Sequence, residues 1–283
     1  MVKFTLLMCI YIKEDPLNLN RCLNSINKQT VMPDEVVIVK DGPVTSELEY
    51  VLESHRFKET PQHPVSENII TLPENVTLGP ARAAGVSAAK NEWIAIMDSD
   101  DICRPDRFEK QLKMIEKNPK LGLIGGQAEE FSDETGPSGG PGRRGAIRTV
   151  PTDHNDIIKF AKIRNPFNHM TVMFKRNAVL MVGNYRYFPY FEDYDLWTRM
   201  IKNGTICANH PDVLVDARTD KDTYRRRRGS NYINQEWRMQ EQLKELGLIS
   251  SAEFIRNTTL RVPIRLLPGG MLASIYKKVL RDK

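Results

Sequence analysis

Four short apolar runs, Phe4 to Ile12, Glu35 to Val39, Asn68 to Leu72 and Trp93 to Met97, alternate with stretches of helical spacing through the first hundred residues. Parallel neighbours in a sheet need a crossover of roughly a dozen residues or more, and a helix is the usual solution. Between the first two runs, Leu19, Cys22, Leu23 and Ile26 fall at i, i+3, i+4 and i+7, which predicts one helix face ending near Gln29. Leu48, Val51 and Leu52 repeat the pattern in the second connection. The third, Gly79 to Lys90, is rich in alanine, so its helix can lie close to the sheet. The class expected is α/β, with a central, mostly parallel sheet wound on both faces.

Beyond Asp101 the pattern predicts a helix from about Pro105 to Lys117 and a strand over Leu121 to Gly125. Further on it predicts a helix near Asn155 to Lys162, a strand over His169 to Phe174, a helix from Asp193 to Asn203, and strands near Thr205 and Val213. Asp133 to Gly145 is too rich in glycine to hold one conformation cheaply, and reads as a solvated connector or a flap over a cleft. From Ser230 the chain reads as helical, with breaks at Gly247 and Pro268.

Charge is divided unevenly. Residues 221–283 carry 14 Lys+Arg against 6 Asp+Glu, a net +8, which leaves −3 for residues 1–220 out of the chain's +5. The basic part expects an anionic partner such as nucleic acid, diphosphate or a lipid surface. No run reaches the roughly 18 apolar residues of a membrane span, and no small-residue cleavage site follows Phe4 to Ile12. Cys9, Cys22, Cys103 and Cys207 lack CxxC spacing, which fits a reducing compartment.

The chemistry concentrates in four places. Asp98-Ser99-Asp100-Asp101 directly follows the apolar run Trp93 to Met97. Three carboxylates at the end of a buried strand repel one another and lose hydration, so a cation is expected among them. Hard oxygen ligands select Mg²⁺ or Mn²⁺ shared with substrate phosphates. The alternative is that Asp101 or Asp106 caps the next helix. Lys40-Asp41-Gly42 sets another acid at a strand end, although Asp-Gly is also a turn signal. Glu192-Asp193, wrapped in Tyr190, Phe191 and Tyr194, reads as a helix start or as a carboxylate in partly apolar surroundings that can act as a general base. Arg225 to Arg228 reads as a solvated face or a diphosphate grip. His169 is a candidate acceptor contact or a structural histidine.

With these residues in view, the chain resembles the family 2 glycosyltransferases of the GT-A fold, a Rossmann-like nucleotide-diphospho-sugar transferase architecture. The resemblance runs through Leu6 to Ile12, Lys40-Asp41-Gly42, Asn75-x-x-Leu78-Gly79-x-x-Arg82, the DXD-like Asp98 to Asp101, and Glu192-Asp193 as the ED motif. Asn165 to Phe174, Tyr224 to Gly229, and Arg265 to Pro268 with Ile275-Tyr276 resemble the amylovoran and capsular-polysaccharide branch.

The resemblance implies a catalytic domain over 1–220, divided into a nucleotide-binding half (1–101) and an acceptor-binding half (102–220), and a basic helical extension over 221–283. It implies inverting transfer of a hexose from a UDP-sugar, with Asp193 as base supported by Glu192. Donor contacts would be Asp41, Arg82, Asp98, Asp100, Arg227 and Arg228; Asp100 and Asp101 would hold Mn²⁺ or Mg²⁺; His169 and Trp197 would face the acceptor. The QxxRW sequence of processive synthases is absent and Tyr224 to Gly229 stands in its place, which favours addition of one sugar. The acceptor implied is a polyprenyl-diphosphate glycan at the cytoplasmic face. The basic tail, with Leu266, Leu267, Met271, Leu272, Ile275, Tyr276 and Leu280, is expected to touch an anionic membrane. Two other classes compete. A nucleotidyltransferase would want a glycine-rich basic loop where Ile12-Lys13-Glu14-Asp15-Pro16 stands, and an RNA binder would want more aromatics among its arginines than Tyr224 and Tyr232.

Overall fold

The structure, a computed structural model, describes residues 2–59, 64–132, 145–219 and 229–265. No helix among them is long and apolar enough to cross a membrane. Its first half follows the periodicity closely. Strands β1 (Phe4–Ile10), β2 (Glu35–Lys40), β3 (Ser66–Thr71) and β4 (Trp93–Asp98) lie parallel in the order β3-β2-β1-β4. Helices α1 (Pro16–Ile26), α2 (Ser46–Ser54) and α3 (Leu78–Ala88) supply the crossovers.

Successive side chains of a strand point to opposite faces, so a strand buried on both sides feeds two cores. Phe4, Leu6, Met8 and Ile10 pack with Leu19, Cys22 and Leu23 of α1, Leu48 of α2, and Phe108 and Leu112 of α4 (Arg107–Lys117). Leu7, with Val37 and Ile96, faces Ala81 and Val86 of α3 and Leu196, Trp197 and Met200 of α7 (Glu192–Lys202). Close approach of α3 depends on Gly85, where a Cβ would stand 2.3 Å from Leu7 Cδ1. α1 starts where Asp15 accepts the N–H of Leu17 at 2.8 Å, with Pro16 in the first turn.

The second half departs from the periodic pattern. The strand expected to stop at Gly125 continues as β6 (Leu121–Phe131), because its polar residues are buried and paired. Gln127 bonds both ways with the Val150 backbone, Glu129 meets Arg104, and Glu130 accepts from Arg148 Nε at 2.6 Å. The two strands expected near Thr205 and Val213 are one, β9 (Ile206–Arg218), parallel to β6 with register shifts around Gln127. β8 (Met173–Lys175) runs antiparallel between β4 and β6, so one sheet continues across both expected halves of the catalytic region. β5 (Ile102–Cys103) and β7 (Ile147–Arg148) add short antiparallel edges. The connections hold α5 (His154–Ala161) and α6 (Arg176–Met181).

His169 does not begin a strand. His169–Thr171 forms a 3₁₀ turn, since Thr171 Oγ1 bonds back to Asn168 O at 2.7 Å instead of leaving the backbone to extend. Capping by the aspartates after β4 also fails: Asp106 makes no side-chain cap bond to α4 and pairs with Lys110 at 2.7 Å.

α8 (Ser230–Glu245) and α9 (Ser251–Arg265) break at Gly247, as expected. Tyr232, Met239, Leu243 and Ile249 pack on Phe188, Phe191 and Tyr194, so this part of the basic extension is fastened to the start of α7. The Gly-rich segment up to residue 144, Arg227 and Arg228, Pro268 and the apolar tail residues lie outside the described residues.

Candidate active site

In a doubly wound sheet the carboxyl ends of the strands border the binding crevice, and the acids singled out above are gathered there. At the end of β2, Asp41 is buried. Its carboxylate accepts the N–H of Val76 at 2.7 Å and Asn75 Nδ2 at 3.0 Å, which ties the strand end to the loop before α3. Gly42 lies at φ +84°, and a Cβ there would meet Asn75 N at 2.8 Å, so the turn requires glycine.

At the end of β4 the three aspartates part company. Asp98 Oδ1 lies 3.1 Å from Arg82 Nη2 and 3.6 Å from His169 Nδ1. Burial would push its carboxyl up, but His169 and Arg82 outweigh that and hold it well below the usual range. Asp101 is buried and turned inward, accepting the backbone N–H of Arg218 at 2.7 Å. Burial, reinforced by Asp100 and Asp98, raises its carboxyl well above the usual value. Asp100 keeps a half-buried carboxylate that no lysine or arginine among the described residues engages in an ion pair. Burial, then Asp98 and Glu14, pushes it up to about 7.

Of the expected metal pair, Asp101 has one carboxylate oxygen bonded to β9, while Asp100 faces no such partner among the described residues. Among the described residues no three His, Cys, Asp or Glu side chains group as a metal cage. The donor set still fits a divalent ion held through one carboxylate, substrate phosphates and water, which is how Mg²⁺ is commonly bound.

Across the crevice, Glu192 and Asp193 open α7. Glu192 Oε1 accepts Arg82 Nη1 at 3.0 Å. Burial raises the Glu192 carboxyl, with Arg82 pulling against this and Asp193 adding to it. Asp193 Oδ2 accepts Asn165 Nδ2 at 2.7 Å. Arg82, 6% exposed, thus spends one guanidinium nitrogen on each acidic cluster and bridges them. His169 and Trp197, expected to face the acceptor, are both buried. Trp197 is wholly buried and stacks behind His169 with ring centroids 6.1 Å apart. His169 bonds Tyr185 Oη through Nε2 at 3.2 Å and turns Nδ1 toward Asp98.

Sequence reasoning passed over Glu14, which accepts the Ser99 hydroxyl at 2.6 Å and is itself raised by burial. Its signal was available: it is a third acid just past a strand end. It also passed over Asn165 as a partner of Asp193, for which no local pattern exists.

Parallel strands ending in acids, and an acidic helix start joined to them by one arginine, match a known family. Residues 5–181 fit the model of "Glycosyl transferase family 2". The chain belongs to that family. This family 2 transferase is 40% identical over 279 residues to the Escherichia coli UDP-Gal:alpha-D-GlcNAc-diphosphoundecaprenol beta-1,3-galactosyltransferase, covering 99% of this chain and 97% of the relative. It is 38% identical over 281 residues to the Erwinia amylovora amylovoran biosynthesis glycosyltransferase AmsE, with 97% and 98% covered. Among solved structures it resembles the mannosyltransferase PcManGT of Pyrobaculum calidifontis in complex with GDP-Man and Mn²⁺. The TM-score is 0.61 and the identity 15%, over 98% of this chain and 75% of the other. The fold is GT-A, and family membership removes the nucleotidyltransferase and RNA-binder alternatives.

Proposed function

We propose that this transferase moves one hexose from a UDP-sugar to a polyprenyl-diphosphate-linked glycan, inverting the anomeric carbon, in bacterial surface-polysaccharide synthesis. The observation that carries the reading is the Arg82 bridge, which sets the Glu192-Asp193 pair against the end of β4 at 3.0 and 3.1 Å. A donor diphosphate at the strand ends would then present its sugar toward α7. The UDP-hexose and the lipid-diphosphate acceptor named for the Escherichia coli relative support the substrate classes.

Asp193 takes the proton of the acceptor hydroxyl as its oxygen bonds to the anomeric carbon. The bond from that carbon to the diphosphate breaks, and UDP leaves with the electron pair. A nucleotide diphosphate departs without a general acid, so one base suffices. Glu192, held by Arg82, keeps α7 against the donor side. Asp41 and its loop border the uracil end, and Asp98 with Arg82 shapes the floor. Asp100 would hold Mn²⁺ or Mg²⁺, which when bound supplies positive charge against the negative charge developing on the departing diphosphate. The Mn²⁺ in the PcManGT complex supports this. The basic extension would bring the protein to the inner face of the plasma membrane as a peripheral protein, where lipid-carried acceptors reside.

The test is incubation with a panel of UDP-hexoses, Mn²⁺ and a lipid-diphosphate GlcNAc acceptor. A product one hexose heavier, of inverted anomeric configuration by NMR, is expected. Transfer from no UDP-hexose, or stepwise polymer growth, would overturn the reading.

A further inference from the structure

Asn165, just past the end of α5, holds the carboxylate of Asp193 in a defined way. Its Nδ2 donates to Asp193 Oδ2 at 2.7 Å while its Oδ1 accepts the N–H of Phe167 at 3.2 Å. Because the amide oxygen is committed to that N–H, the NH₂ end must face Asp193, and a flipped amide would lose both bonds. The other oxygen of Asp193 accepts the N–H of Tyr194 at 2.7 Å. Each carboxylate oxygen thus holds one protein hydrogen bond and retains a lone pair.

The loop carrying Asn165 is pinned from two sides. Tyr194 Oη donates to Ala161 O at 2.6 Å from α7. From α9, the buried Asn257 donates to Lys162 O at 2.9 Å and Arg261 reaches Ile163 O.

We propose that Asn165 is a positioning residue for sugar transfer, a neutral donor that aims the Asp193 carboxylate at the acceptor hydroxyl without cancelling its charge. The inference rests on Asp193 being the base and goes beyond it. A cation in this place, as Arg82 is for Glu192, would favour the charged form and weaken the base. The titratable and charged groups around Asp193 are Glu192 beside it and Tyr185 from the preceding loop, with Arg82 and His169 near Glu192. Arg164, Arg261 and Glu236 lie about the neighbouring Tyr194.

The experiment compares kcat against pH for wild type, Asn165→Ala and the near-isosteric Asn165→Asp, with UDP affinity by calorimetry. In Asn165→Ala, kcat at pH 7 falls about tenfold or more, and the acidic limb of the profile moves to higher pH because a hydrogen bond to the charged form is lost. Asn165→Asp sets two carboxylates side by side, so its limb moves further, by about one pH unit or more. UDP affinity stays within about twofold in both, as expected for a group acting after donor binding. Profiles that overlay on wild type, or a loss of UDP affinity equal to the loss of rate, would overturn the proposal. Should Asn165→Ala melt early, Asn165→Asp alone decides. Near wild-type turnover in Asp193→Asn would instead remove the base itself, whereas an inactive Asp193→Asn beside unmoved Asn165 variants would sink only this inference.

Discussion

The aspartates after β4 and the acidic pair that opens α7 share one arginine, yet their charges are handled in different ways. On the donor side, Asp98 is matched by Arg82 and His169, Asp101 is buried against a backbone N–H of Arg218, and Asp100 is left raised by burial and by its neighbours. On the α7 side, Glu192 takes the cation and Asp193 takes a neutral amide. Two carboxylates of the donor-side cluster and one of the α7 pair are thus engaged by the protein's own groups, and among the described residues Asp100 and Asp193 face no cation of their own. In the function proposed above, the difference lies in what the remaining group awaits: a cation at Asp100, a proton at Asp193.

The largest effect should come from removing the remaining group on the α7 side. Asp193→Asn is expected to lose about 10²–10⁴ in kcat, the usual worth of a general base, while UDP binding by calorimetry stays near wild type. Comparable losses in both quantities would erase the division between the clusters.

Next is the shared arginine. Arg82→Met leaves Asp98 and Glu192 facing each other without their cation, and breaking a buried pair in this way costs about 3–5 kcal/mol. Asp98 is only partly buried, its side chain 30% exposed, so the lower end is expected in urea unfolding. An unchanged midpoint would show that the bridge holds nothing together.

Smaller effects should separate Asp101 from Asp100. Asp101→Ala leaves the Arg218 N–H without its acceptor, at about 1–3 kcal/mol, while Mn²⁺-dependent UDP affinity survives. Loss of that affinity with normal stability would return Asp101 to the metal.

Asp100→Asn should do the reverse. The native carboxyl holds its proton up to about pH 7 against an ordinary value of 3.8, so the folded state binds more protons than the unfolded between those values. Stability without metal therefore falls as pH rises from about 4 to 7, and the variant escapes that fall. Its melting temperature should exceed wild type at pH 8 and match it at pH 4, with metal-dependent UDP binding lost. Equal melting temperatures at both pH values would mean that the carboxylate is already compensated.

Legibility followed the range of the interactions. The strands β1 to β4, their crossover helices and the acids at their ends were readable because side-chain periodicity and turn chemistry act over a few residues: Leu19, Cys22 and Leu23 mark a face wherever the chain goes. The long β6 was not readable, since Gln127, Glu129 and Glu130 look like surface residues until Val150, Arg104 and Arg148 are brought to them. Nor was the fate of Trp197, whose residue type suits a sugar platform and whose position is the core.

What the amino-acid order determined by itself, then, is the doubly wound scaffold and the presence of carboxylates at its active edge. Which carboxylate is free was decided only by tertiary structure. Arg82 and Glu192 are 110 residues apart, Arg218 and Asp101 117, and Asn165 and Asp193 28. A charge is neutralised or released by whatever lies within a few ångströms of it, and over such separations that proximity is created by folding and not by the order of residues.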